Sequence, residues 1–222
     1  MERTEQLGRY TLLLTEDCFP LGGDSLALGR FVTVRRGWKV CDLGCGSGVL
    51  GLLLLEREER LSLTGVEVSP AAAAVARQTF ARNGLDARVI TGDLRDRKLF
   101  PANAFDLVIS NPPWFPTGAG KSGGPARSEE GCTLMELCAA AGYLTRPGGR
   151  FALVHRPERL PDLFAALREN GLEPKRMALL QHSLSTPPSA ALVEAVRQGR
   201  PGLEVLPVQL QEGPQSGAGP QA

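Results

Sequence analysis

The feature that most constrains the fold is a short apolar run that ends in two prolines. Residues 105–109 read as a buried strand of a parallel sheet, because the run is almost wholly apolar. The strand must stop near Asn111, since Pro112 and Pro113 cannot donate hydrogen bonds to a neighbouring strand. Ligands of open α/β sheets bind at this end of the strands. The Asn111 amide and the Trp114 indole therefore either line a site there or belong to a plain proline turn with the indole in the core.

Strand-like and helix-like segments alternate along most of the chain, which predicts an α/β domain. Predicted strands cover 38–43, 61–68, 87–91, 105–109, 150–154, 175–180 and 190–196, with a further one within 203–210. Predicted helices cover 26–32, 49–60, 70–83, 128–144 and 160–170. This alternation is typical of a doubly wound, mostly parallel sheet with helices on both faces. Residues 94–103 are too short and polar a segment for a full crossover helix.

The length of 222 residues suits one domain with small additions at its ends. We expect residues 1–36 to form an N-terminal arm or hairpin packed on the main domain. The main domain should span residues 37–212. Residues 213–222 are rich in Gly, Pro and Gln, and we expect them to form a disordered tail.

Composition excludes several classes of protein. The net charge of +1 argues against general binding of polyanions, so any nucleic acid must meet a local basic face. A polar N-terminus with no long apolar stretch predicts neither a secretory leader nor a membrane span. Five cysteines without CxxC pairs favour reduced thiols, a cytoplasmic location and no metal site.

A glycine loop follows the strand at 38–43 and precedes an apolar helix. Gly46 to Gly51 formally fits GxGxxG, and Glu67 follows Gly48 by 19 residues, the spacing of a dinucleotide site in which an acid binds the ribose. Such loops let the backbone approach a ligand closely. At this point the pattern leaves open a nicotinamide enzyme or an enzyme with another adenosine cofactor.

Three acidic residues separate these two possibilities. Asp42 directly precedes the glycine loop, and Glu67 and Asp93 end the next two strands. Carboxylates at neighbouring strand ends would repel a pyrophosphate, whereas they would favour a sulfonium and an ammonium group. Charge complementarity therefore favours S-adenosylmethionine as the cofactor.

Four segments now resemble the ordered motifs of Rossmann-like, class I methyltransferases. Residues 40–48 are similar to the first motif, 65–69 to the second and 92–94 to the third. Asn111-Pro112-Pro113-Trp114 resembles the fourth motif of enzymes that methylate planar amino groups, in which Tyr or Phe is commoner than Trp. Asp17, residues 23–25, Arg127 and residues 148–151 extend the resemblance to bacterial tRNA-valine (adenine-N6)-methyltransferases.

This resemblance implies a mostly parallel, seven-stranded sheet and S-adenosyl-L-methionine as the cofactor. Glu67 would bind the ribose hydroxyls, and Asp93 and Leu94 would meet the adenine. Asp42 and the backbone of the glycine loop would flank the methionine portion. The predicted cofactor-binding residues are Asp42, Gly44, Gly46, Gly48, Glu67, Val68, Asp93, Leu94 and Asn111.

The resemblance also implies a substrate, the exocyclic N6 amine of an adenine, with tRNA next to the anticodon favoured. The Asn111 oxygen and the Pro112 carbonyl would accept the two N–H bonds of the amine, and Trp114 would stack on the base. Neither His155 nor His182 is needed as a base. The predicted catalytic residues are Asn111, Pro112, Pro113 and Trp114, and the predicted substrate-binding residues are Trp114, Phe115, Lys121 and Arg127.

Other readings of the same motifs stay open. A protein-glutamine N5-methyltransferase presents the same planar amide, although such enzymes usually carry a large N-terminal helical domain. A guanine-N2 rRNA enzyme, a DNA adenine enzyme and a degenerate module that only binds RNA are further alternatives. Seven basic residues could face RNA, but interspersed acids favour an ordinary solvated surface; they are Arg127, Arg146, Arg150, Arg156, Arg159, Lys175 and Arg176.

Overall fold

The computed structural model describes residues 2–16, 18–112 and 132–211. Its strands are β1 (Arg3–Leu7), β2 (Tyr10–Leu14), β3 (Lys39–Leu43), β4 (Ser62–Glu67), β5 (Arg88–Thr91), β6 (Phe105–Ser110), β7 (Thr145–His155), β8 (Leu172–Gln181), β9 (Ala190–Arg197), β10 (Glu204–Val205) and β11 (Gln209–Leu210). Its helices are α1 (Gly23–Phe31), α2 (Val49–Arg57), α3 (Pro70–Arg82), α4 (Leu134–Leu144) and α5 (Leu160–Glu169). No helix in these three ranges is long and apolar enough to cross a membrane.

The predicted parallel sheet is present, in the order β8-β9-β7-β6-β3-β4-β5. Strand β9 is antiparallel to both of its neighbours, and the remaining pairs along this path are parallel. The last predicted strand is instead two short strands, β10 and β11, which both pair with β8. The sheet therefore has nine strands where seven were expected, because two-residue pieces extend its β8 edge.

Several element boundaries differ from the prediction: α1 begins at Gly23, α4 at Leu134 and β8 at Leu172. The boundaries of β7 and α2 differ for local reasons. Strand β7 begins at Thr145, five residues before its predicted start at Arg150, and the Pro-Gly-Gly sequence lies inside it at an irregularity in its pairing with β6. Helix α2 ends at Arg57, because Glu58 is already extended with φ −150° and ψ 102°. As predicted, no helix joins β5 to β6; the connection consists of turns.

Helices cover both faces of the sheet, and each face has its own apolar core. On one face the β1–β2 hairpin, α1, α2 and α3 share a cluster with inward residues of the sheet, among them Leu107 and Ile109. On the other face α4 and α5 pack against Val108 and Phe151. The alternation along β6, which sends neighbouring residues to opposite faces, explains its continuous apolar sequence.

The β1–β2 hairpin is attached to α3 through polar contacts as well as apolar ones. The Asn83 carboxamide accepts from the Thr11 N–H at 2.8 Å and donates to the Thr11 carbonyl at 2.8 Å. The Leu13 N–H donates to the Thr79 hydroxyl at 3.3 Å. The free edge of β2 is thereby covered, which limits strand pairing with other chains.

A buried carboxylate fixes the chain after α1. Glu194 on β9 is fully buried and accepts from the Thr33 N–H at 2.7 Å and from the Thr33 hydroxyl at 3.0 Å. Arg150 and Arg176 reach the same carboxylate at 2.6 and 3.2 Å. The Arg57 guanidinium also donates to the carbonyls of Gly29 and Val32. The carboxyl end of α1 is therefore held to the sheet by charged groups.

Candidate active site

The carboxyl ends of β6, β3, β4 and β5 are adjacent at one edge of the sheet. Asn111 follows β6, the glycine loop follows β3, Glu67 ends β4 and Asp93 follows β5 by two residues. The fold thus brings the acids and the amide singled out in the sequence to a single edge. This is the edge at which open α/β sheets bind ligands.

The glycine loop has a backbone conformation that side chains rarely adopt. Gly44, Gly46 and Gly48 have φ angles of +74°, +52° and +90°. A Cβ at Gly44 or Gly46 would meet no atom within 4 Å, whereas one at Gly48 would lie 2.8 Å from the Phe80 ring. The first two glycines therefore leave open space at the sheet edge, and Gly48 allows α2 to pack closely against α3.

Glu67 ties the glycine loop to the next helix. Its Oε2 accepts from the Gly46 N–H at 2.9 Å, and its Oε1 accepts from the Ser69 N–H at 2.9 Å. Ser69 caps α3 through its hydroxyl, which accepts from the Ala72 N–H at 3.3 Å. Each carboxylate oxygen keeps a further lone pair for a ligand hydroxyl. Val68 follows directly and exposes 67% of its surface at the same edge.

Asp42 is the most unusual group of the site. It is 1% exposed, and neither carboxylate oxygen has a hydrogen-bond partner among the residues that the structure describes. Burial raises the pKa of Asp42 to about 8, and the negative charge of Glu67 adds to this shift. A buried carboxyl without donors around it is costly, so it suits a site in which a cationic ligand supplies the missing donors.

Asp93 already has a basic partner. The Arg95 guanidinium binds both carboxylate oxygens, with Nη2 2.5 Å from Oδ2, and its Nη1 reaches Glu136 on α4 at 3.2 Å. The hydrogen bond from Arg95 lowers the pKa of Asp93 below its usual range. Sequence reasoning expected Asp93 to meet the adenine. In the structure its carboxylate is engaged with Arg95, so an adenine amino group would share it or displace the guanidinium.

A cavity of about 70 Å³ lies beside Asn111 at the end of β6. Its walls include Leu43, Gly44, Leu94, Pro112 and His155. The predicted amide and proline therefore lie against the glycine loop. A second cavity of about 200 Å³ shares the Leu43 and Leu94 walls and extends between residues 94–100 and α4. It occupies the place that a crossover helix between β5 and β6 would fill.

Two hydrogen bonds hold the end of β6 in place. The buried Ser110 hydroxyl donates to the Leu43 carbonyl at 2.8 Å, which ties β6 to β3. The Asn111 Nδ2 donates to the Ser25 hydroxyl of α1 at 2.8 Å. Helix α1 therefore contacts the candidate site directly, although Ser25 lies 86 residues from Asn111 in the sequence.

Several predicted residues lie outside the described ranges. These are Asp17, Pro113, Trp114, Phe115, Lys121 and Arg127. Their roles remain predictions from the sequence. Among the basic residues considered for RNA contact, Arg150 and Arg176 bind the buried Glu194, and Arg146 pairs with Asp106 near the opposite end of β6. All three arginines are therefore engaged in ion pairs within the described chain.

Two residues at the site, His155 and Arg95, were not expected there from the sequence, and a third, Ser25, was expected only as part of the resemblance at 23–25. His155 lines the smaller cavity and is 3% exposed, with its Nδ1 accepting from the Arg156 N–H at 2.9 Å. It is the last residue of β7, so its position at a strand end was the available signal. The resemblance at residues 23–25 includes Ser25, but it does not indicate the contact with Asn111, which lies 86 residues away. No local pattern marks Arg95.

The chain matches the Methyltransferase small domain family over residues 23–162. A protein of Dickeya chrysanthemi named tRNA1(Val) (adenine(37)-N6)-methyltransferase is 29% identical over 192 residues, covering 84% of this chain and 76% of that protein. Further relatives carry the same name. A release factor glutamine methyltransferase of Deinococcus radiodurans is 32% identical over 157 residues, covering 66% of this chain and 55% of that protein.

Solved structures agree on the fold. A crystal structure of a predicted O-methyltransferase from Agrobacterium tumefaciens superimposes with a TM-score of 0.70 at 22% identity, covering 88% of this chain and 90% of that one. The Rossmann-like fold expected from the motifs is confirmed, as is the cofactor class. The chain belongs to the methyltransferase small domain family of class I methyltransferases, which use S-adenosyl-L-methionine.

Proposed function

We propose that this methyltransferase transfers a methyl group to the exocyclic N6 amine of an adenine in tRNA, next to the anticodon. The observation that carries the proposal is the placement of Asn111 and Pro112 in one cavity wall with Gly44. The names of the relatives support adenine in tRNA as the substrate. The net charge of +1 is compatible with RNA binding through a local face only.

The donor set of the cofactor-binding edge fits S-adenosyl-L-methionine. Asp42 offers two buried acceptors without donors, and Gly44 and Gly46 face open space. Glu67 keeps lone pairs for the ribose hydroxyls, while Val68, Asp93 and Leu94 would surround the adenine. When bound, the cofactor supplies an electrophilic methyl group on a sulfonium.

Asn111 and Pro112 would activate the amine by orientation. An exocyclic adenine nitrogen is conjugated with the ring, so its lone pair is a poor nucleophile. Acceptance of its two N–H bonds by the Asn111 oxygen and the Pro112 carbonyl would favour a pyramidal nitrogen with the lone pair directed at the methyl group. Positioning and electrostatics then lower the barrier without a covalent intermediate. The product nitrogen releases one proton to water.

The target base must leave its stack to enter the site. Base flipping costs a few kcal/mol and is easiest for an unpaired base, as in an anticodon loop. Trp114, which follows the prolines in sequence, is proposed to stack on this base, and Phe115, Lys121 and Arg127 are proposed to contact the RNA.

The protein with labelled cofactor, incubated in parallel with unmodified tRNA and with a release factor, tests the proposal. We expect label in N6-methyladenosine after nuclease digestion. Asn111→Ala should abolish labelling, while Asn103→Gly serves as a matched control, since Asn103 is exposed and has a φ of 59° that glycine accepts. Label only in a release factor glutamine would favour the rival activity that the Deinococcus radiodurans relative suggests. Label in neither would refute both.

A further inference from the structure

A carboxamide can assist the proposed reaction in only one of its two orientations. The oxygen accepts hydrogen bonds and the nitrogen donates them, so the Asn111 oxygen must face the substrate amine. A free carboxamide can turn about its terminal bond, whose rotamers are broad. Something outside the cavity must therefore hold the nitrogen end.

Ser25 occupies that position in the structure. The Asn111 Nδ2 donates to the Ser25 Oγ at 2.8 Å, and both side chains are half-buried. Ser25 does not belong to the walls of the 70 Å³ cavity, whereas Asn111 does. A carboxamide whose nitrogen donates to Ser25 leaves its oxygen for another partner.

Both ends of α1 are anchored, which gives the Ser25 hydroxyl a defined position. At the start of the helix, the Gln211 Nε2 donates to Asp24 Oδ1 at 2.7 Å, and the Gln211 backbone N–H donates to the Gln181 carbonyl at 2.8 Å. At the other end, Arg57 donates to the carbonyls of Gly29 and Val32. The buried Glu194 accepts from the backbone N–H of Thr33. The helix is therefore a rigid support between the β8 edge of the sheet and the site.

We propose that Ser25 is a positioning residue for methyl transfer, holding the Asn111 amide so that its oxygen meets the substrate amine. This inference rests on the proposed function, since it assigns the partner of the amide oxygen. Ser25 contacts neither the cofactor nor the substrate in this role. Its effect should therefore appear in the rate of the chemical step and leave binding unchanged.

Ser25→Ala tests the proposal, because alanine favours the helix and removes the hydroxyl that accepts from the Asn111 Nδ2. We expect kcat to fall about tenfold, as for the loss of one hydrogen bond in the transition state. The KM for tRNA and the calorimetric Kd for the cofactor should change less than twofold. Ser25→Thr, which keeps a hydroxyl, should restore most of the rate. Ser62→Ala, at the exposed start of β4, is the matched control.

A second measurement does not depend on the substrate. The side-chain amide signal of Asn111 in a ¹⁵N-correlated NMR spectrum can be assigned by its loss in Asn111→Ala. Its proton shift should move upfield in Ser25→Ala and stay unchanged in Ser62→Ala. An unchanged signal, an unchanged kcat, or a weakened cofactor Kd with normal kcat would each overturn the proposal. If wild-type protein labels no tRNA but the signal moves, the contact stands and the proposed substrate fails.

Discussion

Replacement of Asp42 by asparagine tests the electrostatics of the site in isolation from catalysis. Asp42 is 1% exposed and lacks hydrogen-bond partners for either oxygen. Burial, together with the charge of Glu67, raises its pKa to about 8 from an ordinary value of 3.8. Between these two pH values the folded protein holds a proton that the unfolded chain has released. The contribution of Asp42 to stability is therefore fully present below about pH 4 and is lost as the pH rises to about 8.

The size of the effect follows from proton linkage. One proton difference changes the free energy of unfolding by about 1.4 kcal/mol per pH unit. Between pH 5 and pH 7 the free energy of unfolding of the wild type should therefore fall by about 2.7 kcal/mol relative to that of Asp42→Asn, in which residue 42 does not titrate. For a chain of this size that loss corresponds to roughly 5–10 °C in the midpoint of thermal unfolding.

Urea unfolding of both proteins at several pH values between 5 and 8.5 measures the difference. The difference curve removes the contributions of groups that both proteins share. Asp86→Asn, at an exposed position, is the control and should run parallel to the wild type. Saturating cofactor should flatten the wild-type curve, because a cation beside Asp42 favours its carboxylate. Parallel curves for wild type and Asp42→Asn without cofactor would refute the reasoning.

Three further predictions concern packing, charge and thiol chemistry. Glu194→Gln should lower the free energy of unfolding in urea by about 3 kcal/mol, because two arginines lose their buried counter-charge. The control Glu5→Gln, from a pair at the surface, should lower the same free energy by less than about 1 kcal/mol. Equal effects of the two substitutions would contradict this. Gly142→Ala should cost about 1–3 kcal/mol by thermal unfolding, since its Cβ would lie 2.5 Å from the Asn170 carbonyl oxygen. The control Gly22→Ala meets no atom within 4 Å, and a Gly142→Ala midpoint no lower than the control would be the contrary result. Burial raises the pKa of Cys132 to about 11, so at pH 8 a disulfide reagent should label it about tenfold more slowly than in urea. Cys41, Cys45 and Cys138 are more deeply buried and should react more slowly still, so only the phase at the Cys132 rate should vanish in Cys132→Ser. Labelling of Cys132 at the unfolded rate would argue against this.

Most of the fold could be predicted from local sequence patterns, because apolar residues recur with a different period in strands than in helices. The apolar runs at 38–43 and 105–109 correspond to β3 and β6, and the predicted helix at 70–83 corresponds to α3, which begins at Pro70 as proline at a first helical position favours. The start of β7 was not, because its Pro-Gly-Gly sequence is typical of a turn and only pairing with β6 keeps it in the sheet.

Within the site, the positions of residues at strand ends could be predicted from the sequence, whereas the hydrogen-bond partners of their side chains could not. Strand order brings Asp42, Glu67, Asp93 and Asn111 to one edge, as predicted from their positions after strands. The hydrogen bond between Asn111 and Ser25 joins residues 86 apart, and the pairing of Arg95 with Glu136 spans 41. Such contacts depend on how helices dock, and a single sequence contains no periodic signal for them.

The double attachment of Glu67 has a consequence for the entropy of cofactor binding. Its carboxylate joins the glycine loop to the start of α3 through contacts within the chain. A loop that is already ordered loses little conformational freedom on binding, so more of the contact energy contributes to affinity. Removal of this carboxylate should therefore weaken binding twice, once through the loss of the proposed ribose contact and once through a loop that each cofactor molecule would have to order.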